Sequence, residues 1–249
     1  MSDKVLLVTG GSRGIGAATA RLAAAQGWAV AVNYSANSLA ADEVVRAIRA
    51  SGGTAMAVQA DVADEAQVLR MFDHIDARLG RLTGLVNNAG VVDRAQRVED
   101  MSVARWRRMF DINVIGSMLC AREAVRRMSP RHGGTGGAIV NLGSVAARIG
   151  SPAMYVDYAA SKGAIDTFTI GLAQEVAGEG IRVNAVRPGI IDTDIHASGG
   201  RPDRVDALKH QVPMQRGGTA NEVAQAILWL LSDAASYTTM SLVDVSGAR

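Results

Sequence analysis

One stretch near the start of the chain decides the fold class, Val5-Leu6-Leu7-Val8-Thr9-Gly10-Gly11-Ser12-Arg13-Gly14-Ile15-Gly16. Its first four residues have the length and composition of a buried strand, and an Ala-rich helical pattern follows over residues 14–26. In a Rossmann unit such glycines permit a tight turn and bring backbone N–H groups close to a pyrophosphate, at the positive end of the helix dipole. The glycine spacing is Gly-x-x-x-Gly-x-Gly, without the Gly-Lys-Ser/Thr ending of a P-loop, so it predicts dinucleotide binding and disfavours nucleotide hydrolysis.

Apolar runs and helical patterns continue to alternate along all 249 residues. Seven short strands are predicted at residues 5–8, 29–32, 55–59, 85–86, 138–141, 182–186 and 242–245. Helices are predicted at residues 14–26, 39–51, 65–79, 102–128, 155–177 and 221–231, the last begun by a capping box from Thr219 to Glu222. This alternation is typical of parallel sheets covered on both faces. We therefore predict an α/β fold, a single doubly wound Rossmann domain over residues 1–249 with a seven-stranded parallel sheet and a substrate lid at about 190–211.

Composition narrows the class of protein. Hydrophobic residues make up 48% of the chain, and 26 basic less 24 acidic residues leave +2, too little charge to indicate a nucleic-acid partner. No apolar run reaches the roughly 18 residues of a membrane span, and the first residues lack a signal-peptide core. Cys120 is the one cysteine, which we expect to be a buried packing residue, and the four histidines show no metal-ligand spacing. We expect a cytoplasmic protein without a metal, nucleic-acid or membrane partner.

The end of the second strand indicates which nicotinamide cofactor binds. An NAD enzyme usually has a carboxylate about 20 residues after the glycines, where it accepts from the ribose 2′-hydroxyl. This chain has no acidic residue between Asp3 and Asp42. Ser35, Asn37 and the cationic Arg13 could hydrogen-bond a 2′-phosphate, which favours NADP and leaves NAD open. The alternatives are a solvated loop charge for Arg13 and a helix cap for Asn37.

Tyr158 and Lys162 stand four residues apart in a predicted helix, so they lie on one face, one turn apart. A phenol with a pKa of about 10 is a poor acid–base catalyst at neutral pH, but a nearby ammonium favours the phenolate and lowers that pKa. Ser144 follows the fifth strand at the carboxyl edge of the sheet, where open α/β sheets bind ligands, and its hydroxyl could bind a substrate oxygen. The alternatives are an incidental surface pair for Tyr158 and Lys162, and a turn or helix cap for Ser144.

Together these residues resemble the short-chain dehydrogenase/reductase family. The matching motifs occur in the family's order at residues 9–16, 61–62, 87–90, 113, 144, 158 with 162, and 188–193. The amino-acid sequence around these motifs is most similar to that of bacterial glucose 1-dehydrogenase-like and 3-oxoacyl-carrier-protein reductase-like enzymes. The resemblance therefore implies an oxidoreductase without implying its substrate.

The resemblance implies a role for each catalytic candidate. Tyr158 would be the general acid in carbonyl reduction and the base in alcohol oxidation. Lys162 would hold the nicotinamide ribose and lower the Tyr158 pKa, and Ser144 would orient the carbonyl and stabilise developing negative charge. Asn113 would hold a water that links Lys162 to solvent as a proton relay; the alternative is a kinked helix that satisfies its own backbone.

A set of cofactor contacts also follows from the resemblance. Asp61 would accept from the adenine amine and Val62 would pack on the ring. Thr193 would hold the nicotinamide carboxamide. The whole implied set is Gly10, Ser12, Arg13, Gly14, Ile15, Gly16, Ser35, Asn37, Asp61, Val62, Asn88, Ala89, Gly90, Tyr158, Lys162, Pro188, Gly189, Ile191 and Thr193.

Three segments are predicted to shape the substrate pocket: residues 93–100, residues 145–157 with Tyr155 at the mouth, and the lid, which contains His196. The arginines within 94–108 are predicted to form a solvated face. The apolar faces of the helices at 102–128 and 155–177 would, by the resemblance, pair subunits into a homotetramer; burial within one subunit is the alternative. Met240 and Ala248 depart from the family, because glycines are frequent at both positions.

The predicted function is NADP(H)-dependent interconversion of a carbonyl and a secondary alcohol in a small-molecule substrate by hydride transfer, with Tyr158 as general acid and base. A sugar 1-dehydrogenase of the glucose type is the alternative within this class. Outside it, the alternative is a non-catalytic protein that senses a nucleotide.

Overall fold

The computed structural model describes residues 4–194, 199–201 and 203–249. Its main strands are β1 Val5–Val8, β2 Ala29–Tyr34, β3 Thr54–Gln59, β4 Gly84–Asn87, β5 Gly137–Leu142, β6 Ile181–Pro188 and, after two short strands, β9 Leu242–Val245. They form one parallel sheet in the order β3-β2-β1-β4-β5-β6-β9, which confirms the predicted fold class. The short strands, β7 Ile191–Asp192 and β8 Gly218–Thr219, pair in a second parallel sheet that the sequence did not predict.

Helices cover both faces of the sheet, and every residue of β1 is therefore buried. Leu6 and Val8 pack into one hydrophobic cluster, whereas Val5 and Leu7 pack into the other. The helices are α1 Gly14–Ala25, α2 Ser38–Ala50, α3 Glu65–Arg78, α4 Val103–Phe110, α5 Gly116–Met128, α6 Ala146–Ile149, α7 Val156–Val176, α8 Arg204–Leu208 and α9 Ala220–Leu231. The first cluster contains residues of α1, α2 and α9, and the second contains residues of α3, α5 and α7. No helix of the described residues is long and apolar enough to cross a membrane.

The strand order reverses between β1 and β4, and a crevice for ligands forms where the carboxyl ends of these strands part. Asn88 ties the glycine turn to the end of β4, because its Nδ2 donates to the carbonyl oxygens of Thr9 at 2.8 Å and Gly10 at 3.0 Å. A Cβ at position 16 would lie 2.5 Å from the Gly10 carbonyl oxygen, so Gly16 permits α1 to start this close to the turn. The turn and the first helix are thereby fixed beside the crevice.

The predicted helix at 102–128 is interrupted. α4 ends at Phe110, and Asp111–Ile115 form a turn of π-helix before α5 begins at Gly116. Such a turn inserts one extra residue into the helix, which a pattern of 3.6 residues per turn does not reveal. Asn113 lies in this turn, and its backbone carbonyl accepts from Ser117 Oγ at 3.0 Å.

Several local predictions have clear outcomes. The capping box is confirmed, since Glu222 N donates to Thr219 Oγ at 3.2 Å and Thr219 N donates to Glu222 Oε2 at 2.8 Å. Cys120 is buried, and burial raises the pKa of its thiol to about 12, as suits a packing residue. The segment predicted as a lid contributes β7 and α8, whereas His196 lies outside the described residues.

Met240 and Ala248, the two residues at positions where the resembled family often has glycine, both have positive φ angles. Met240 has φ of 64° and Ala248 has φ of 70°, in the left-handed region that favours glycine. The chain therefore keeps a glycine-like path with side chains in place, which costs free energy at both positions.

Candidate active site

The tyrosine and lysine of α7 meet inside the protein. Lys162 Nζ lies 5.6 Å from the centroid of the Tyr158 ring, and the lysine is only 5% exposed. Its Nζ donates to the carbonyl oxygen of Leu142, the last residue of β5, at 2.6 Å. Burial lowers the pKa of Lys162 to about 8, although the charge of Asp166 acts in the opposite direction. The pair belongs to the interior and is no incidental surface pair.

The electrostatics of Tyr158 differ from the prediction. Burial raises its pKa, while a hydrogen bond with Ser144 and the charge of Arg204 act to lower it. Burial outweighs these effects, so the direction of the Tyr158 pKa is opposite to the lowering expected from Lys162, while a lowering by an oxidised nicotinamide stays a prediction. Ser144 is itself buried at the end of β5, and its Oγ also accepts from Ala146 N at 3.1 Å.

Asn113 is held against the loop that follows β4. Its Oδ1 accepts from Val91 N at 2.8 Å, and its Nδ2 donates to Val91 O at 3.0 Å and Ser161 Oγ at 3.1 Å. A Cβ built on Gly90 would lie 3.3 Å from Asn113 Oδ1 and 3.7 Å from Lys162 Nζ, so Gly90 lies between the two side chains. The structure thus brings Asn113 next to Lys162, and the water relay stays a prediction.

A groove along the carboxyl ends of β1 to β4 collects most of the predicted cofactor residues. These are Gly10, Ser12, Arg13, Gly14, Ile15, Ser35, Asn37, Asp61, Val62, Asn88, Ala89, Gly90 and Thr193. Gly10 and Gly14 have φ of 58° and 53°, which lets the turn follow a path closed to most side chains. Gly16 lines no part of this groove and acts through the close packing described above.

The residues that line the groove suit a nicotinamide dinucleotide. The groove runs from Asp61 and Val62, beside the ends of β2 and β3, to Thr193. Beyond Thr193 it opens into a second cavity that contains Tyr158 and Lys162. A reactive ring at that end would lie beside the tyrosine, while the turn before α1 would face the phosphates.

The end of β2 has the polar composition that the sequence predicts. Ser35 and Asn37 border the groove with Arg13, and Asn37 also caps α2, since its Oδ1 accepts from Ala40 N at 3.0 Å. Both interpretations of Asn37 are therefore compatible with one position. Arg108 borders the same groove and was not singled out from the sequence.

The second cavity contains three of the predicted catalytic side chains. Its lining includes Ser144, Tyr155, Tyr158, Lys162, Pro188, Gly189, Ile191, Arg204 and Arg249. Two of the three predicted segments contribute, but residues 93–100 do not line it, although their neighbour Val92 does. Arg204 and Arg249 were missed, because nothing in the local sequence around either arginine points to a ligand.

Comparison with known proteins settles the family. Residues 10–247 match the family described as Enoyl-(Acyl carrier protein) reductase. The Escherichia coli K12 protein named as uncharacterized oxidoreductase YgfF is 58% identical over 245 residues, which cover 98% of this chain and 99% of that protein. The chain belongs to the short-chain dehydrogenase/reductase family. It is accordingly an oxidoreductase that acts on alcohol or carbonyl substrates.

Two further members of the family bear on substrate and cofactor. The cis-4-hydroxycyclohexanecarboxylate dehydrogenase of Sinomonas cyclohexanicum is 40% identical over 247 residues, covering 99% of this chain and 96% of that enzyme. The crystal structure of a short chain dehydrogenase from Burkholderia cenocepacia J2315 in complex with NADP has a TM-score of 0.89 and 34% identity, covering 98% of this chain and 97% of that one.

One buried ion pair of this short-chain dehydrogenase/reductase lies directly behind the tyrosine. Arg105 Nε donates to Asp157 Oδ2 at 2.6 Å and Arg105 Nη2 donates to Asp157 Oδ1 at 3.1 Å, with side chains 7% and 2% exposed. Arg105 Nη1 also donates to Arg94 O at 2.7 Å, and Asp157 Oδ1 accepts from Tyr158 N at 2.9 Å. The prediction of a solvated arginine face is wrong for Arg105, which connects the 94–96 loop to the start of α7.

Proposed function

We propose that this enzyme interconverts a secondary alcohol and the corresponding carbonyl with NADP(H), using Tyr158 as the general acid and base. The observation that carries the proposal is the convergence of Ser144, Tyr158 and Lys162 at the place where the nucleotide groove opens into the second cavity. A reacting carbon at this place would lie between the Tyr158 hydroxyl and the groove proposed to hold the nicotinamide.

The proposed chemistry balances as a hydride and a proton. The nicotinamide supplies or accepts the hydride. In alcohol oxidation, Tyr158 accepts the hydroxyl proton as the carbon loses its hydride; in reduction, Tyr158 donates that proton to the carbonyl oxygen. Ser144 orients the oxygen, Lys162 holds the ribose hydroxyls, and Asn113 positions a water that returns the proton to solvent.

The preference for NADP is supported by charge at the end of β2. Arg13 borders the same groove as Ser35 and Asn37, neither of which would repel a 2′-phosphate, and Arg108 adds a second cation to the groove's lining. The family member from Burkholderia cenocepacia that was solved with NADP is consistent with this choice. We expect kcat/KM to be about tenfold or more higher with NADPH than with NADH, and equal values would contradict the assignment.

The assignment of Tyr158 is tested by Tyr158→Phe, which removes the hydroxyl and keeps the ring. We expect kcat to fall by about a thousandfold, because proton transfer loses its catalyst, while the Kd for NADPH changes little. Turnover is measured by nicotinamide absorbance on a panel of secondary alcohols and ketones, and NADPH binding by its fluorescence. Turnover close to that of the unaltered enzyme would remove Tyr158 from the mechanism.

A homotetramer is part of the proposal. Val103, Trp106 and Phe110 expose a stripe of apolar surface along α4, and Ile115 continues it before α5. Such a stripe is typical of a helix that packs against another subunit. Light scattering coupled to size exclusion should give four chains, and Trp106→Glu should shift the distribution to smaller species.

A further inference from the structure

The charge balance of the second cavity points to the class of substrate. Three cationic side chains, Lys162, Arg204 and Arg249, line its described part, and no acidic side chain does. Lys162 Nζ donates to the Leu142 carbonyl oxygen at 2.6 Å, whereas neither arginine has an acidic side chain beside it in the described lining.

Both guanidinium groups have buried nitrogen atoms without a hydrogen bond. Within the part of the chain that the structure describes, this holds for Nη1 of Arg204 and Nη1 of Arg249. The Arg204 guanidinium stacks on Tyr155, 4.9 Å from the ring centroid. Burial raises the pKa of Tyr158 and the charge of Arg204 opposes that rise, so this cation acts on the catalytic hydroxyl. Burial and the charge of Arg204 both lower the pKa of Arg249, which shows that the two cations act on each other.

Other partly or fully buried arginines of this protein have polar partners. Arg182 donates to four main-chain carbonyl oxygens, those of Leu230, Leu231, Ser232 and Thr238, and two further arginines bind carboxylates. Arg105 pairs with Asp157 at 2.6 Å, and Arg187 pairs with Asp166 at 2.8 Å. A guanidinium stays charged at all accessible pH values, and burying it without a counter-charge is unfavourable. Arg204 and Arg249 differ from these arginines, because within the described residues each keeps a buried Nη1 without a hydrogen bond at the second cavity.

The acidic groups around Arg249 are engaged with other arginines. Arg249 also borders a neighbouring pocket with Asp244 and Glu222, but Asp244 binds Arg148 at 3.0 Å and Glu222 binds Arg216 at 2.5 Å. The main-chain oxygen of Arg249 accepts from Arg148 Nη2 at 3.3 Å. The arginine pair also lies apart from the dinucleotide groove, whose described lining contains neither Arg204 nor Arg249. The missing anion therefore belongs to the molecule that reacts in the cavity and not to a cofactor phosphate.

We propose that the substrate is a hydroxy acid, or the oxo acid formed from it, whose carboxylate binds between Arg204 and Arg249. This inference rests on the proposed alcohol–carbonyl chemistry. The hydroxyl carbon loses its hydride to the oxidised nicotinamide and the hydroxyl loses its proton to Tyr158, while the carboxylate is unchanged. The apolar side chains of Val145 and Ile149 line the same cavity and suit a hydrocarbon skeleton between the two polar ends. A planar guanidinium fork matches a carboxylate in two hydrogen bonds, and a neutral sugar offers no such group.

The kinetic test compares matched pairs of substrates. 3-Hydroxybutyrate, 5-hydroxyhexanoate and 7-hydroxyoctanoate, each with its carboxamide, are oxidised with NADP by the unaltered enzyme, Arg204→Gln and Arg249→Gln. For the chain length that fits, kcat/KM should be about 100-fold higher for the carboxylate than for the carboxamide. Either variant should bring that ratio close to one, mainly through KM. Arg201→Gln is the matched control, because Arg201 lies in the same segment, pairs with Asp203 and does not line the cavity; it should keep the ratio.

A carboxylate and carboxamide of equal kcat/KM at every length, or an unchanged ratio in both variants, overturns the inference. A binding measurement separates that result from failure of the proposed function. Octanoate and octanamide have no hydroxyl and cannot react, and calorimetry with NADP present should detect octanoate binding that is lost in Arg249→Gln. Selective octanoate binding without turnover of any alcohol would uphold the carboxylate subsite and overturn the proposed reaction. Tyr158-dependent turnover of neutral alcohols without octanoate binding would uphold the proposed reaction and overturn the carboxylate subsite.

Discussion

The nucleotide groove and the substrate cavity share a border at Ile15, Asn88, Gly90 and Thr193, yet they are built in different ways. The groove is lined by the glycine turn and by the ends of adjacent strands. The described lining of the cavity has three cationic side chains and no acidic one. Under the proposals above, the glycine turn would receive the dinucleotide and the two arginines of the cavity would bind the substrate.

The largest effect is expected behind the cavity, where an arginine does have its counter-charge. Arg105→Leu leaves the buried Asp157 carboxylate without its cation, so the free energy of unfolding should fall by about 4 kcal/mol. Urea denaturation measures the change. Replacing both partners, in Arg105→Leu with Asp157→Leu, should recover most of it, and Arg107→Leu at an exposed neighbouring position should change stability by about 0.5 kcal/mol or less. A similar loss in the Arg105 and Arg107 variants would contradict the importance of the ion pair.

Lys162 gives the cavity a dependence on pH. Its pKa is about 8 in the folded protein, against an ordinary value of 10.5, so between these pH values the unfolded chain binds more protons and stability rises with pH. Below pH 8 the folded state carries the full cost of the buried ammonium, about 3 kcal/mol. Lys162→Met should raise the free energy of unfolding at pH 7 by up to that amount and lose most of the gain at pH 10. Equal gains at both pH values in urea denaturation would contradict this prediction.

A single methyl group at position 16 should disturb the glycine turn beside the groove. Gly16→Ala places a Cβ against the Gly10 carbonyl oxygen, which we expect to cost about 2 kcal/mol of stability and to weaken NADPH binding. Thermal unfolding and NADPH fluorescence measure the two effects. Gly163→Ala on α7 is the control, because its Cβ would meet nothing within 4 Å, and it should stabilise the helix by about 0.8 kcal/mol. If Gly16→Ala bound NADPH normally, the packing argument for the turn would fail.

The smallest effect on stability is expected at Ala248, a residue with a side chain in a backbone conformation that favours glycine. Ala248 has φ of 70°, so Ala248→Gly should relieve strain and raise the free energy of unfolding by about 0.5–1 kcal/mol. Ala104→Gly, within α4, should lower it by a similar amount because glycine is unfavourable in a helix interior. Urea denaturation should therefore give changes in the free energy of unfolding of opposite sign for the two variants. A decrease for both variants would show that Ala248 is unstrained.

Sequence reasoning succeeded where the requirement was local. The strand–turn–helix at the start of the chain, the capping box at Thr219 and the one-turn spacing of Tyr158 and Lys162 each depend on residues within one turn or one loop. The predicted continuous helix at 102–128 missed the π-turn around Asn113, although a kinked helix was the alternative given for that residue, because one inserted residue leaves the hydrophobic pattern nearly unchanged.

Electrostatic predictions were the weakest part, because charges interact through space and burial changes their strength. The sequence placed Lys162 next to Tyr158 correctly but did not reveal that its ammonium would turn to the Leu142 carbonyl. Burial then determines the direction of the Tyr158 pKa, and Arg204, far along the chain, opposes it.

By itself the sequence determined the seven-stranded fold, the position of the glycine turn and the presence of the side chains that the family resemblance predicts to be catalytic. These follow from periodicity and from backbone conformations that only certain residues adopt. The tertiary structure alone decided which charges are compensated. Arg105 meets an aspartate 52 residues away, whereas Arg204 and Arg249 line the same cavity and the charge of Arg204 lowers the pKa of Arg249. Which side chains come together depends on the packing of the whole chain, and no local pattern encodes it.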